Sequence, residues 1–500
     1  MLLLSRAAIL TLAIVGTMTS WKYLGPGTPS PTAAIRHSAI FNASHLAHIK
    51  QRYDIEGELD YFTRIVRFRR IHDLQRKSLT IVPQALLNPT MTPIDSTRQT
   101  DGDIVDAVGN GPLKFEVPLS GLPSTVNASQ LMFGISTTFQ RLNESNGDII
   151  SDWKYWLTDG YGASNGAKLL LLLWDASEAE LQDARTLLDD AGIDANVDRS
   201  KDRDMAVRYI NLIPLLYQQV DSRNTKWLIL CDDDTFFPSM HGLNEKLDSF
   251  DYSKQLYIGT LSEDIEALER HGSQAFGGAG VILSLPMAKT ITQSIRSCSS
   301  ASKLEEAGWQ GDKLLHNCIY DNSNTRLVLL PDLWQLDFRG DASGFYEWGH
   351  KPLSLHHYRG GGWHKARPLQ FSKIAHICGE DCILQRFLTN DNFIISGHSI
   401  AYYPLGIVFD TSLVERTFEP LWERGWNFDY VFGPQRPALK DSGQKISWEI
   451  QGSEVRPDGS VLQTYLRRKD HIRWTANDQR RGDHDSVIEL IWVSGDATSK

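Results

Sequence analysis

The stretch Trp227–Phe237, WLILCDDDTFF, decides how the rest of this chain is read. Trp227 to Cys231 is a short, mostly apolar run that ends in three carboxylates, Asp232, Asp233 and Asp234. Such a run reads as a strand buried on both faces. Ligands of open α/β sheets sit just past the carboxyl ends of such strands. Adjacent carboxylates repel one another once partly desolvated, unless a cation joins them. Oxygen donors suit a hard ion, Mn²⁺ or Mg²⁺. On an extended backbone Asp232 and Asp234 share one face and Asp233 points to the other. A solvated acidic turn is the competing reading. The place of the acids at the end of a buried strand favours the metal.

Working outward, strand patterns occur at Leu131–Ile135, Leu169–Leu173, Tyr257–Thr260, Gly280–Ser284 and Leu327–Leu330. Helical spacing occurs at Glu178–Ala191, Met205–Val220, Met240–Leu247 and Lys313–Tyr320. This alternation predicts an α/β domain with a mostly parallel sheet covered by helices on both faces, over residues 128–367. After Arg359–Gly362, RGGG, the texture changes. Phe393–Tyr403 alternates, Pro457–Ser460 is a turn between two extended runs, and Val487–Val493 is a last strand. Residues 368–500 are therefore expected to form a β-rich C-terminal module. Upstream, the apolar positions of His45–Leu79 fall at roughly helical intervals. With linkers at 25–31 and 88–103 they predict a stem with amphipathic helices over residues 25–127.

The chain has 500 residues and a formal net charge of −10, enough for two or three domains and without the basic balance of a nucleic-acid binder. Arg6 precedes a mainly apolar run that reaches spanning length over Ala7–Leu24 if Lys22 snorkels. Both a cleaved signal peptide and a signal-anchor fit, and the lack of a clear small-x-small site favours the anchor, over residues 1–24. That makes a single-pass type II protein with its bulk in a lumen. Sequons at Asn42, Asn127 and Asn143 agree with a secretory route. Of five cysteines, Cys231 lies inside the apolar strand and is expected free. Cys378 and Cys382 can close a small loop, which leaves Cys298 with Cys318.

Other residues carry candidate chemistry. In Phe276–Gly280, FGGAG, Gly277 and Gly278 let a backbone approach a ligand, although glycine clusters are usually plain turns. Asp312, in GWQGD, is either a helix N-cap or a catalytic carboxylate. His356 and His357, in SLHHY, are candidate metal ligands, and strand period puts them on opposite faces. Trp309, Trp334, Tyr346, Trp348 and Trp363 can stack on a sugar or a base, with core packing as the default.

The ordered set DDD, YIG (Tyr257–Gly259), FGGAGVILS, GD followed by Cys318, and SLHHY resembles the Fringe-like β-1,3-glycosyltransferases, over roughly Leu131–Arg367. Within them it is most similar to a plant and fungal branch of largely unassigned members. The resemblance implies a GT-A fold, a nucleotide-sugar donor (most often UDP-linked), a Mn²⁺ requirement and inversion at the anomeric carbon. It also implies a glycan or glycoprotein acceptor and a Golgi setting. By position, Asp232–Asp234 becomes the DxD-type site, with Asp232 and Asp233 toward the nucleotide-sugar and Asp234 and Asp232 toward the metal. His356 or His357 becomes the metal-binding histidine, and Asp312 the base. Many relatives carry two adjacent acids where this chain has Gly311-Asp312. A glycan-binding scaffold on a decayed transferase fold is thus a second reading, and a metal-dependent phosphodiesterase a third. The lack of further His/Asp motifs argues against the third.

Overall fold

The computed structural model describes residues 43–87, 93–94, 111–144, 148–221, 223–422, 428–440, 442–469 and 484–495. The signal-anchor and breaker-rich segment expected over residues 1–31, the sequon at Asn42 and most of the 88–103 linker lie outside them. Among the described residues no helix is long and apolar enough to cross a membrane.

The leucine run shows how the first sheet forms. On the strand Lys168–Trp174, Leu169, Leu171 and Leu173 bury with Phe133, Leu181 and Leu188. Leu170 and Leu172 bury on the opposite face with Ile210, Ile213 and Leu216. A strand covered on both faces needs no polar side, so its sequence does not alternate. The sheet has seven strands, in the order Leu327–Leu329, Tyr257–Gly259, Val281–Ser284, Trp227–Leu230, Leu131–Thr137, Lys168–Trp174, Ala195–Ser200. Val281–Ser284 runs antiparallel to both neighbours, and the other neighbouring pairs are parallel. The expected α/β architecture is therefore present. Helix Glu178–Ala191 starts on a capping box between Ser177 and Glu180. It stops at Gly192, where φ is +79° and a Cβ would meet the Gly162 carbonyl oxygen at 2.2 Å. Asp204 caps Met205–Gln218, which packs with Leu285–Cys298 and Gly311–Asn322. The edge strand Ala195–Ser200, ANVDRS, was not anticipated, because its polar residues give no apolar run.

The 25–127 stem needs correction. Ala43–Arg52 is a helix, but Leu59–Ile71 is a thirteen-residue strand. Its apolar residues at intervals of three imitate a helix, while Phe62, Thr63, Ile65, Val66 and Phe68 favour a pleated surface. The strand pairs in parallel with Asp485–Ser494, from Leu59 opposite Asp485 to Phe68 opposite Ser494, and with Leu113–Pro118. Residues expected in a stem and in a C-terminal module thus share one ten-stranded sheet. Within it, Ile446–Val455 and Val461–Arg467 form the hairpin expected around Pro457–Ser460, with a bulge between Ile450 and Gly452.

Polar contacts tie the loops beside the ten-stranded sheet to one another, through Arg76, and to helix Met240–Asp248 of the α/β half, through Glu380. Arg76 donates to the carbonyls of Gly349 at 2.8 Å and of Asp381 and Ile383 at 3.0 Å. Glu380 accepts from the backbone of His241 and Gly242. Disulfides link Cys298 to Cys318 and Cys378 to Cys382, and Cys231 is free and buried, as expected.

Lys445 is 2% exposed and places its Nζ 2.6 Å from Glu347 and 2.8 Å from Glu415. Burial disfavours its charge, but the two carboxylates outweigh that and hold its pKa above the ordinary lysine range. Removing it leaves Glu347 buried without its cation. Lys445→Met is expected to lower unfolding free energy by roughly 3–5 kcal/mol in urea denaturation. An unchanged midpoint would show that the pair contributes nothing.

Candidate active site

Trp227–Leu230 is buried along its length, so the chain leaves the sheet edge with three acids in succession. Asp233 turns into the protein. Arg141 Nε donates to its Oδ2 at 2.6 Å, the Thr137 hydroxyl donates to the same oxygen, and the Trp153 indole N–H donates to its carbonyl at 3.3 Å. Thr137 ends the neighbouring strand, so Asp233 anchors the acidic loop. In this arrangement it does not line the cavity as a nucleotide contact would. Asp232 and Asp234 face the other way, placed there not by an extended backbone but by the turn that Thr235 N–H closes on Asp232 O at 3.2 Å.

His356 joins them from a distant segment. Phe236 N–H donates to Leu355 O, and Leu355 N–H donates back to Phe236 O, both at 2.8 Å. This bridge sets His356 Nε2 3.1 Å from Asp234 Oδ1 and 3.4 Å from Asp232 Oδ2. One ligand atom from each of the three lies within 4.8 Å of the others. Gly278 makes the room, since a Cβ there would lie 2.1–2.4 Å from the His356 ring. Thr235 holds the same turn by donating to Gly278 O at 2.7 Å. Gly277 donates to Asp312 Oδ2 at 3.4 Å. Both glycines line the cavity, and their packing role against His356 and Tyr209 is what the structure adds.

The charges here depend on one another. Burial pushes the Asp234 carboxyl up, but His356, His357 and Arg141 outweigh it and hold it far below the usual range. Burial likewise opposes a charge on His356, yet Asp234 and Asp232 raise its pKa well above the ordinary value. Without a metal, an imidazolium supplies the positive charge that the pair demands. The residues fit a metal on chemical grounds: two carboxylate oxygens and the imidazole Nε2 converge. That mixed set suits a first-row divalent ion better than Mg²⁺, whose preferred shell is all oxygen.

His357 departs from strand geometry. Its φ of +56° breaks the pleat, so the expectation that the two histidines occupy opposite faces fails. Their ring centroids are 3.7 Å apart and both line the cavity. His357 Nδ1 sits 3.1 Å from Asp337 Oδ1, and its ring stacks on Trp363 at 3.6 Å. It lies outside the Asp232, Asp234, His356 cluster, which corrects its expected place among the metal ligands.

Asp312 is not the N-cap; Gln310 holds that position, and Asp312 lies in the first turn of Gly311–Asn322. Gly311 lets this helix approach Tyr209, which a Cβ would meet at 2.7 Å. Burial pushes the Asp312 carboxyl up to about 6, against the N–H groups of Lys313 and Gly277, with Asp232 adding to the rise. Asp232, Gly277, Gly278, Asp312, His356 and His357 line one cavity of about 400 Å³. Of the aromatics, Trp334 and Tyr346 are core residues, whereas Trp309 and Trp363 line the cavity. Sequence reasoning missed Arg141, Tyr209, His271, Asp337 and Trp422. Tyr209 reads as a core position of its helix, Arg141 and His271 are single polar residues on short helices, and Asp337 and Trp422 carry no spacing signal.

A family model described as Fringe-like matches residues 190–336. That segment holds the acidic triplet, both glycines and Asp312, and stops short of His356. No curated protein matches the chain. Among solved structures it is similar to mannosyltransferase PcManGT from Pyrobaculum calidifontis in complex with GDP-Man and Mn²⁺, at 11% identity, 43% of this chain, 58% of that chain and TM-score 0.26. It is similar to glycosyltransferase GlyE of Streptococcus pneumoniae, at 19% identity, 40% and 45% coverage and TM-score 0.27. It is also similar to galactosyltransferase LgtC in complex with donor and acceptor sugar analogues, at 13% identity, 47% and 89% coverage and TM-score 0.30. The chain spans about half the length of the first two, and likenesses at these scores carry no argument about activity. The family match stands independently of them and encloses part of the cavity lining, from Met205 to Gln335. Residues 190–336 of the chain thus resemble the Fringe-like family, whose model they match.

Proposed function

We propose that this chain is an inverting, metal-dependent glycosyltransferase. It moves a sugar from a UDP-linked donor to a hydroxyl of a glycan or glycoprotein and forms a β-1,3 linkage. The observation that carries the reading is that Asp232, His356 and Asp312 line one cavity. Breaking a sugar–diphosphate bond leaves negative charge on the leaving phosphate, and a bound Mn²⁺ neutralises such charge as a Lewis acid. Asp232, Asp234 and His356 would hold the ion, and His356 must be neutral to offer its nitrogen. Asp312 takes the proton of the acceptor hydroxyl. Its raised pKa makes it a stronger base than an ordinary aspartate while leaving it ionised at neutral pH. Asp233 is committed to Arg141 and Asp337 to His357, so neither is free to attack the anomeric carbon. One base and no protein nucleophile give a single displacement with inversion. The Golgi placement and type II anchor are supported by the apolar N-terminus and by two disulfides that suit an oxidising lumen.

Asp234→Ala is expected to lower Mn²⁺-dependent UDP-sugar hydrolysis and transfer by about 100-fold or more and to remove the Mn²⁺-induced rise in Tm. Asp190→Ala, on an exposed helix face, should change neither. Full turnover in Asp234→Ala would remove the metal role. A glycan-binding protein without catalysis would bind neither UDP nor Mn²⁺ in calorimetry.

A base works only when deprotonated. With Asp312 near 6, kcat/KM should be full above that pH and fall as the pH drops through it. Asp312→Asn should lose about 10²- to 10⁴-fold in transfer while keeping the Mn²⁺-induced Tm shift. Retention of the acidic limb in that variant would assign the proton transfer to another group.

A further inference from the structure

Two tryptophans at the cavity have no part in the mechanism above. Trp309 is 54% exposed and sits at φ +60°, directly after Gly308 at +59°. A bulky residue is strained in the left-handed region, and an exposed indole has no packing to offset that strain. The conformation follows helix Ala301–Glu306, with Trp309 N–H donating to Leu304 O at 3.0 Å. It presents the indole at the cavity instead of the core.

Trp422 reaches the same cavity from beyond the α/β sheet. The Arg270 guanidinium lies 4.3 Å from its ring centroid, and the His271 ring lies 6.2 Å away. His271 Nδ1 is in turn 3.2 Å from Gln310 Oε1. Gln310 separates Trp309 from the Gly311-Asp312 pair, and the His271 charge acts on the Asp312 carboxyl. Trp422, His271, Gln310 and Trp309 therefore form one connected rim beside Asp312. Trp363, the third tryptophan of the cavity, is different. Its face is already stacked on His357, next to His356. The exposed indole of Trp309 lies with the carboxylate that takes a proton, and Trp422, with Arg270 over one face, borders the cavity on the same side.

We propose that Trp309 and Trp422 form the platform on which the acceptor pyranose stacks. This rests on the transferase reading. A pyranose presents C–H groups on its faces and hydroxyls around its edge. The electron-rich face of an indole attracts polarised C–H groups and leaves the edge free. Stacking fixes the plane of the ring, so one hydroxyl meets Asp312. A peptide serine or threonine has no such face and would leave the Trp309 indole in water.

The test uses purified full-length protein with UDP-sugars and Mn²⁺. The acceptors are methyl glycosides of galactose, glucose, N-acetylglucosamine and mannose, beside a serine- and threonine-containing peptide. Trp309→Ala and Trp422→Ala should each raise glycoside KM about tenfold, with donor KM and acceptor-free donor hydrolysis within about twofold. Trp309→Phe keeps an aromatic face and should recover most of the loss. An unchanged glycoside KM in both alanine variants overturns the platform. So does a wild-type preference for the peptide, or donor hydrolysis that falls in parallel. Transfer to the glycosides by the wild type separates the levels: its presence with an unchanged KM in both alanine variants overturns the platform alone, and the absence of both transfer and donor hydrolysis overturns the transferase reading with it.

Discussion

Negative charge at the end of a strand with no exposed residue is the constraint on which this site depends. Three carboxylates cannot all ionise in a partly dry loop without compensation. The chain divides the problem. Asp233 is neutralised by Arg141 within its own neighbourhood, and this fixes the loop. Asp232 and Asp234 share the His356 imidazolium, which belongs to another segment. A fixed guanidinium cannot leave, whereas a proton can. The pair that uses the proton is thus the pair at which a divalent ion can take its place, and binding releases that proton. The same exchange would be impossible at Asp233.

His356 is useful only where it is held, and much of the remaining structure does that holding. Ser354 donates to Ala279 O at 2.6 Å, and Leu355 is bridged to Phe236. Tyr358 donates to the buried Asp152 at 2.7 Å, with Arg359 on the same carboxylate. Burial pushes Asp152 up to about 6, against both partners, so the segment is tied on either side of the histidine pair. Farther out, Glu347 and Lys445 join the turn Ser343–Tyr346 to the ten-stranded sheet. The β-rich half, whatever else it binds, is part of the support of the cavity.

The α/β half was legible because its strands are buried on both faces and its helices carry caps, both of which are local signals. The triplet, Gly277, Gly278, Asp312 and His356 were all visible as unusual residue types in order. What was not legible came from non-local pairing. Leu59–Ile71 repeats apolar residues at intervals of three, and only its partner Asp485–Ser494, at the far end of the chain, makes it a strand. His357 was assigned a face by strand period, and one positive φ returned it to the cavity. Asp337 and His271 acquire meaning only from the side chains they meet.

Gly278 shows what a reading of motifs one at a time misses about the candidate metal cluster of Asp232, Asp234 and His356. A glycine turn beside a pocket is usually explained by close approach of a ligand to the backbone. Here the atom that approaches first is protein, since the His356 ring occupies the volume of a Cβ. Thr235, immediately after the triplet, holds that glycine by its carbonyl, and its hydroxyl also accepts from Asp232 N–H at 3.1 Å. The acidic loop, the glycine turn and the histidine are thus one packed unit assembled from three segments. A larger residue at 278 would displace the imidazole before it blocked any ligand. The requirement for glycine at 278 and the place of His356 beside the two acids are the same steric fact, seen from two places in the chain.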